Sequence, residues 1–158
     1  MSAYVEVFVL IGIAAGGSAL VLGAAIPLVS GPRGPSVEVQ DGSIHQGAYL
    51  AIVRLTVMNP AQIPIATFDV STSQVPSSAS YCYAVHDLAT GAQSAGTCPT
   101  TSGNPGSVTI DYPVKPGGAA AVVIEIFGQA FGIGSTCTIT VTTSSGAQQT
   151  VGVLVAPA

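Results

Sequence analysis

Between Ala3 and Val29 the only ionisable side chains are Glu6 and the phenol of Tyr4. A helix apolar on every face is stable inside a bilayer or inside a dry bundle, and not in water. As a helix the run would be roughly 40 Å long, enough to cross a membrane. A secretory signal peptide has a basic n-region and a shorter apolar core; here no basic residue stands ahead of the run. A plain membrane anchor is closer, with Arg33 alone to set its orientation. It gives no reason for Glu6, which costs on the order of 2.5 kcal/mol or more if left unpaired in hydrocarbon. An N-terminal amine, its own or a neighbour's, is the nearest partner for that carboxylate. The third reading is a helix that leaves the membrane to be buried among copies of itself. Gly12 with Gly16, and Ala19 with Gly23, form two small-xxx-small pairs, a spacing that lets helix backbones approach closely. Each side chain such as Leu10 or Leu20 gains roughly 1.5–3 kcal/mol on leaving water. Gly17, Gly23 and Pro27 would permit a bend.

The composition changes after Val29. Residues 1–30 form the expected assembly or membrane helix, and 31–36 a linker bent by Gly31 and Gly34 and stiffened by Pro32 and Pro35, with Pro27 just ahead of it. Residues 37–158 form a head with no convincing helical period. Eight β-rich runs recur instead: SVEVQ, AYLAIVRLTV, PIATFDVS, ASYCYAVHDL, SVTIDYPV, AAAVVIEIF, STCTITVTT and QTVGVLVA. In LAIVRLTV one face carries Ala51, Val53, Leu55 and Val57, the expected core face, and the other Leu50, Ile52, Arg54 and Thr56. Val108, Ile110 and Tyr112 alternate with Thr109 and Asp111 in the same way. Short strands at this spacing predict an antiparallel sandwich of immunoglobulin-like type. The chain has no Trp, which excludes a true immunoglobulin core. The expected class is therefore α+β: a long hydrophobic N-terminal helix followed by an all-β, immunoglobulin-like head.

Charged residues make up 6% of the chain, against roughly a quarter in a typical soluble protein. Serine, threonine and glutamine replace them, as in STSQVPSSAS and TVTTSSGAQQT. The basic residues are Arg33, Arg54 and Lys115, too few and too scattered for a nucleic-acid footprint. The three cysteines hold no C-x-x-C pair, so a thiolate metal site has little support. Cys82 and Cys98 flank a loop containing LATGAQSAG that would let two strand ends meet, and their bridge would be worth on the order of 3 kcal/mol. Cys137 is the competing partner. It alternates with Ile139 and Val141 on one face of STCTITV, where a small buried hydrophobe is the simpler role.

No catalytic constellation stands out. There is no G-x-S-x-G elbow and no P-loop, and Lys115 lies in the turn signal PVKPGG. His86 and Asp87 are adjacent, and adjacent strand residues point to opposite faces, so a surface histidine and a turn-proximal aspartate are expected. Asp41, Asp69, Asp87, Asp111 and Glu125 are dispersed, without the spacing of a calcium loop. Asn59 and Asn104 are followed by proline, which forbids N-glycosylation. Neither enzymatic activity, a metal nor a cofactor is expected.

Taken in order, these features resemble the archaeal type IV pilins in their mature form. The resemblance rests on the apolar start without a basic residue, the early Glu6, the short linker and the charge-poor β head. Within the head it rests on AIVRLTVMNPAQIPI, on VKPGGAAAVVIEIFG and on STCTITVTTSSGAQQTVGV. It implies a precursor cut by a prepilin peptidase, held in the cytoplasmic membrane and extruded by pilus assembly machinery. The product is an extracellular homopolymer used for adhesion, with helices bundled at the centre and β heads outside. In related bacterial pilins an early glutamate meets a neighbour's N-terminal amine, and Glu6 is the matching residue here. A repeated contact that does not close into a ring generates such a filament. The hydroxyl-rich head would suit close lateral contact and can carry O-linked sugars. Two alternatives have the same outline: a subunit of the archaellum, and a membrane-anchored monomeric binding protein whose Tyr81, Tyr83 and Tyr112 form an exposed cluster.

Overall fold

The computed structural model describes residues 36–74, 80–94, 96–98 and 106–158. Residues 1–30, expected as a helix with Glu6, Leu10, Gly12, Gly16, Ala19, Leu20, Gly23 and Pro27, lie outside the described residues. So do Gly31, Pro32, Gly34 and Pro35 of the expected linker.

Eight strands succeed one another: β1 (Glu38–Gln46), β2 (Leu50–Met58), β3 (Phe68–Thr72), β4 (Tyr81–Asp87), β5 (Ser107–Ile110), β6 (Ala119–Phe127), β7 (Thr136–Thr143) and β8 (Gln148–Pro157). β2 and β6 lie side by side in the sheet, rich in Val, Ile and Ala, with Arg54, Thr56 and Glu125 confined to their outer rows. Their inner rows are sealed. Ala51, Val53, Leu55 and Val57 are at most 2% exposed, as are Ala120, Val122, Ile124 and Ile126. Phe68, Val70, Val108, Ile110, Cys137, Ile139 and Val141 meet them from the other half of the sheet in one core cluster. Each fully buried Val, Ile or Leu contributes roughly 1.5–3 kcal/mol by leaving water.

The expected α+β class is corrected: the described residues contain no helix, and the described fold is all-β. The expected purely antiparallel sandwich is corrected as well. The strands form one nearly closed mixed sheet in the order β4-β6-β2-β1-β8-β7-β3-β5. β8 makes the join, because its first part runs antiparallel to β7 and its last residues, Val155–Pro157, run parallel to β1. The β-rich run SVEVQ stops at Gln40, yet β1 continues through Asp41-Gly42 to Gln46. The register with β2 slips between Gln40 and Ser43, the signature of a bulge. Asp41 takes a left-handed φ of 54°. Gly42 lies so close to β8 that a Cβ there would stand 3.3 Å from methyl carbons of both Val151 and Val153. The bulge therefore lengthens β1 enough for β8 to pair with its far end.

The two end strands, β4 and β5, are where an open sheet would expose unpaired backbone. A strap covers β4: Tyr83 and Thr97 exchange two backbone hydrogen bonds of 2.9 and 2.8 Å, Ser94 N donates to Val85 O, and Asp87 N donates to Ala92 O. Across the seam, the Tyr112 hydroxyl just beyond β5 donates to Asp87 Oδ2 at the end of β4 (3.3 Å). Among the described residues no helix is long and apolar enough to cross a membrane.

Candidate interaction surface

The sheet has two outer faces of different character. On β4, β6, β2 and β1 the outward rows are set by register. One reads Cys82, Glu125, Ile52 and His45; the next reads Ala84, Val123, Arg54 and Ser43. His86, Ala121, Thr56 and Gln40 continue the array towards one end, and Phe127 with Leu50 ends it at the other. Five aliphatic side chains, Leu50, Ile52, Ala84, Ala121 and Val123, set this aliphatic face apart from the other, and Glu125, Arg54, His45, His86 and Gln40 stand among them. On β8, β7, β3 and β5 the outward rows carry hydroxyls instead. Thr136, Thr138, Thr140 and Thr142 alternate along β7, and Thr140 lies between Thr150 and Ser71. Ser107 and Thr109 extend the rows on β5. The Thr140 and Thr150 hydroxyls share a hydrogen bond of 2.8 Å, and Thr109 donates to Asp69.

Exposed large apolar side chains gather at the two ends of the strands. Tyr49, Phe127, Ile133 and Leu154 lie at the end where β1, β6 and β8 finish. Tyr49 is 85% exposed, and its carbonyl accepts from Gly128 N beside Phe127. Ile63 and Leu88 lie at the opposite end, where β2 finishes and β6 begins. Tyr81, Tyr83 and Tyr112 do not form an exposed aromatic cluster, because all three are half-buried against the core.

Both ends are held rigid by a buried amide. At the first, Gln46 Oε1 accepts from Ala130 N (3.1 Å) and Phe131 N (2.9 Å), and its Nε2 donates to Gly47 O and Gly128 O. At the second, Asn59 Nδ2 donates to Ile63 O (2.8 Å) and Val114 O (3.0 Å), and its Oδ1 accepts from Ala61 N. Its backbone exchanges hydrogen bonds with Gly117 and Gly118. Asn59 thus locks the turn that displays Lys115. Sequence reasoning missed both amides. Asn59-Pro60 at least signals a turn, whereas nothing local marks Gln46, whose backbone donors Ala130 and Phe131 lie about 85 residues away.

Cys82 and Cys98 are joined by a disulfide across 16 residues of chain, which ties the strap to β4. Cys137 is a free, buried cysteine, with its thiol 3.4 Å from the Ser73 hydroxyl. A hollow of about 260 Å3 opens between the disulfide, Gly96 of the strap, Ala84, Val123 and Glu125. Glu125 is half-buried there and makes no hydrogen bond or ion pair among the described residues. No group of His, Cys, Asp and Glu among the described residues is arranged to hold a metal ion. His86 is exposed. Asp87 caps the turn that follows β4, with its Oδ1 accepting from Ala89 N and Thr90 N at 2.9 Å each. Those backbone donors, Thr90 first, hold its carboxyl below the usual carboxylate range. Burial, and secondarily the Asp87 charge, raise the Tyr112 phenol above its usual value.

No family model matches the chain, and no curated protein matches it in sequence. Among solved structures it is similar to the archaellum periplasmic stator protein FlaG from Sulfolobus acidocaldarius. The identity is 10% and the TM-score 0.36, covering 75% of this chain and 98% of that one. It is also similar to a CARDB domain from Pyrococcus furiosus solved with di-metal ions. There the identity is 14% and the TM-score 0.26, covering 80% of this chain and 96% of that one. With TM-scores this low, neither likeness carries an argument about what the chain does.

Proposed function

We propose that the chain is the structural subunit of an extracellular filament of the type IV pilus kind, serving adhesion. The observation that carries the reading is the pairing of an N-terminal run apolar but for Glu6 with a head whose exposed large apolar side chains, among the described residues, lie at its two ends. The apolar run would be removed from water by bundling with its copies. The head ends would stack on one another, a head-to-tail contact that propagates instead of closing. Few charges oppose such packing, since the whole chain carries seven acidic and three basic residues. The aliphatic face turns towards neighbouring heads and the threonine face towards solvent, where its hydroxyls offer acceptors for O-linked sugars. An intact mass equal to that of the bare polypeptide would exclude the sugars.

The test is electron microscopy of material sheared from cells expressing the chain, with mass spectrometry of the same fraction. Thin fibres composed of this polypeptide are the expected result. Recovery of the protein only as membrane-bound monomers would overturn the reading.

A further inference from the structure

The unpaired Glu125 and the hollow beside it have no role in the fold as described. Its floor is carbon and sulfur, from Ala84, Val123 and the Cys82–Cys98 bridge, and its one charge is the half-buried carboxylate. At about 260 Å3 the hollow falls short of the ~300–1,000 Å3 typical of small-molecule sites. Its dimensions suit one extended side chain. An apolar floor with a single anion at the rim matches the body and head of a long cationic side chain, which keeps its methylenes on carbon and its charge on the carboxylate.

We propose that this hollow receives the Lys115 side chain of a second copy, and so fixes the head-to-tail contact. The proposal rests on the polymer reading above. Lys115 is the only lysine in the sequence. It stands exposed on a turn between Pro113 and Pro116, with Gly118 N donating to its carbonyl and Asn59 bracing the segment. Lys115 itself makes no ion pair among the described residues. The two groups belong to opposite ends of β6: Lys115 precedes Ala119, and Glu125 lies six residues, or about 20 Å, further along the strand. Donor and receiver are therefore different patches on one head, the condition for a contact that repeats along an axis. Ile63 and Leu88 flank the lysine end, while Tyr49 and Phe127 flank the glutamate end, so apolar contact would surround the ion pair and exclude water from it.

The experiment mixes isotopically light and heavy full-length chains, allows assembly, and joins touching carboxylates and amines with a zero-length carbodiimide before peptide mass spectrometry. A light-to-heavy link between Lys115 and Glu125 is expected. Lys115→Glu should raise the concentration needed for assembly by at least about tenfold, since it sets two carboxylates face to face. Combining it with Glu125→Lys should restore assembly, while Thr138→Glu, exposed on the threonine face, should change nothing. Fibres that lack the link and tolerate Lys115→Glu would overturn this contact and leave the filament reading standing. Linked pairs that never grow into fibres would uphold the contact and overturn the filament. Chains that never associate would overturn both.

Discussion

Two buried amides and one surface hydrogen bond decide how much a single side chain matters in this head. Gln46 is 2% exposed and satisfies two backbone N–H groups of the segment after β6. Gln46→Leu keeps the bulk and orphans both donors, so it should lower stability by about 2–4 kcal/mol. Gln40→Leu, exposed on the same strand, should stay within about 0.5 kcal/mol in the same urea titration. Asp87 and Tyr112 make stability depend on pH in two directions. The Asp87 carboxyl lies below its usual value because it accepts from Thr90 N and Ala89 N. Its contribution is thus present at neutral pH and is lost as pH falls below about 4. Tyr112 titrates above its usual value through burial and the Asp87 charge. Its contribution is complete below about pH 10 and is lost as pH rises beyond. Asp87→Asn should flatten the acid limb of a stability–pH curve, and Tyr112→Phe the alkaline limb. Curves that keep both limbs in these variants would show that Asp87 and Tyr112 are not their source.

At the scale of strands, the disulfide is the element whose removal can be measured most directly. It closes 16 residues of chain, a loop worth about 3 kcal/mol in the chain-entropy model. Cys82→Ala with Cys98→Ala should lower the unfolding free energy by about that amount and speed amide exchange at Ser94 and Thr97 in the strap. With Cys137 buried, the native protein should react with no equivalent of a thiol reagent, and the unreduced, unfolded protein with one. The sequence made some of these elements plain and hid others for physical reasons. Ala51, Val53, Leu55 and Val57 could be assigned to one face because a strand that buries one side must alternate, and that rule is local. The continuation of β1 through Asp41-Gly42 was hidden, because the same dipeptide serves a hairpin turn and a bulge. Only the approach of Val151 and Val153, over a hundred residues away, selects the bulge. The parallel pairing of β1 with Val155–Pro157 was hidden for the same reason: no local pattern states which distant strand will lie alongside. The hollow was invisible because Cys82, Gly96, Val123 and Glu125 are brought together by register and a covalent bond.

For the whole molecule, the two faces make different demands on an assembly. Ala121 and Thr140 are both half-buried and outward-facing, the first on the aliphatic face and the second on the threonine face. Lysine at either site can reach water along its flexible stem, so each isolated head should lose little stability, within about 1 kcal/mol. Their consequences in a filament should diverge. A charge at Ala121 would be carried into contact between heads, where desolvation opposes it, so Ala121→Lys should raise the concentration at which fibres form. A charge at Thr140 would remain in solvent, and Thr140→Lys should assemble like the parent chain. Sedimentation of fibres over a concentration series, with thermal melts of the same variants, separates assembly from folding. If Thr140→Lys were the variant that failed to assemble while its melt stayed unchanged, the threonine face would be the one turned inward. The aliphatic face would then have to be matched to some other surface.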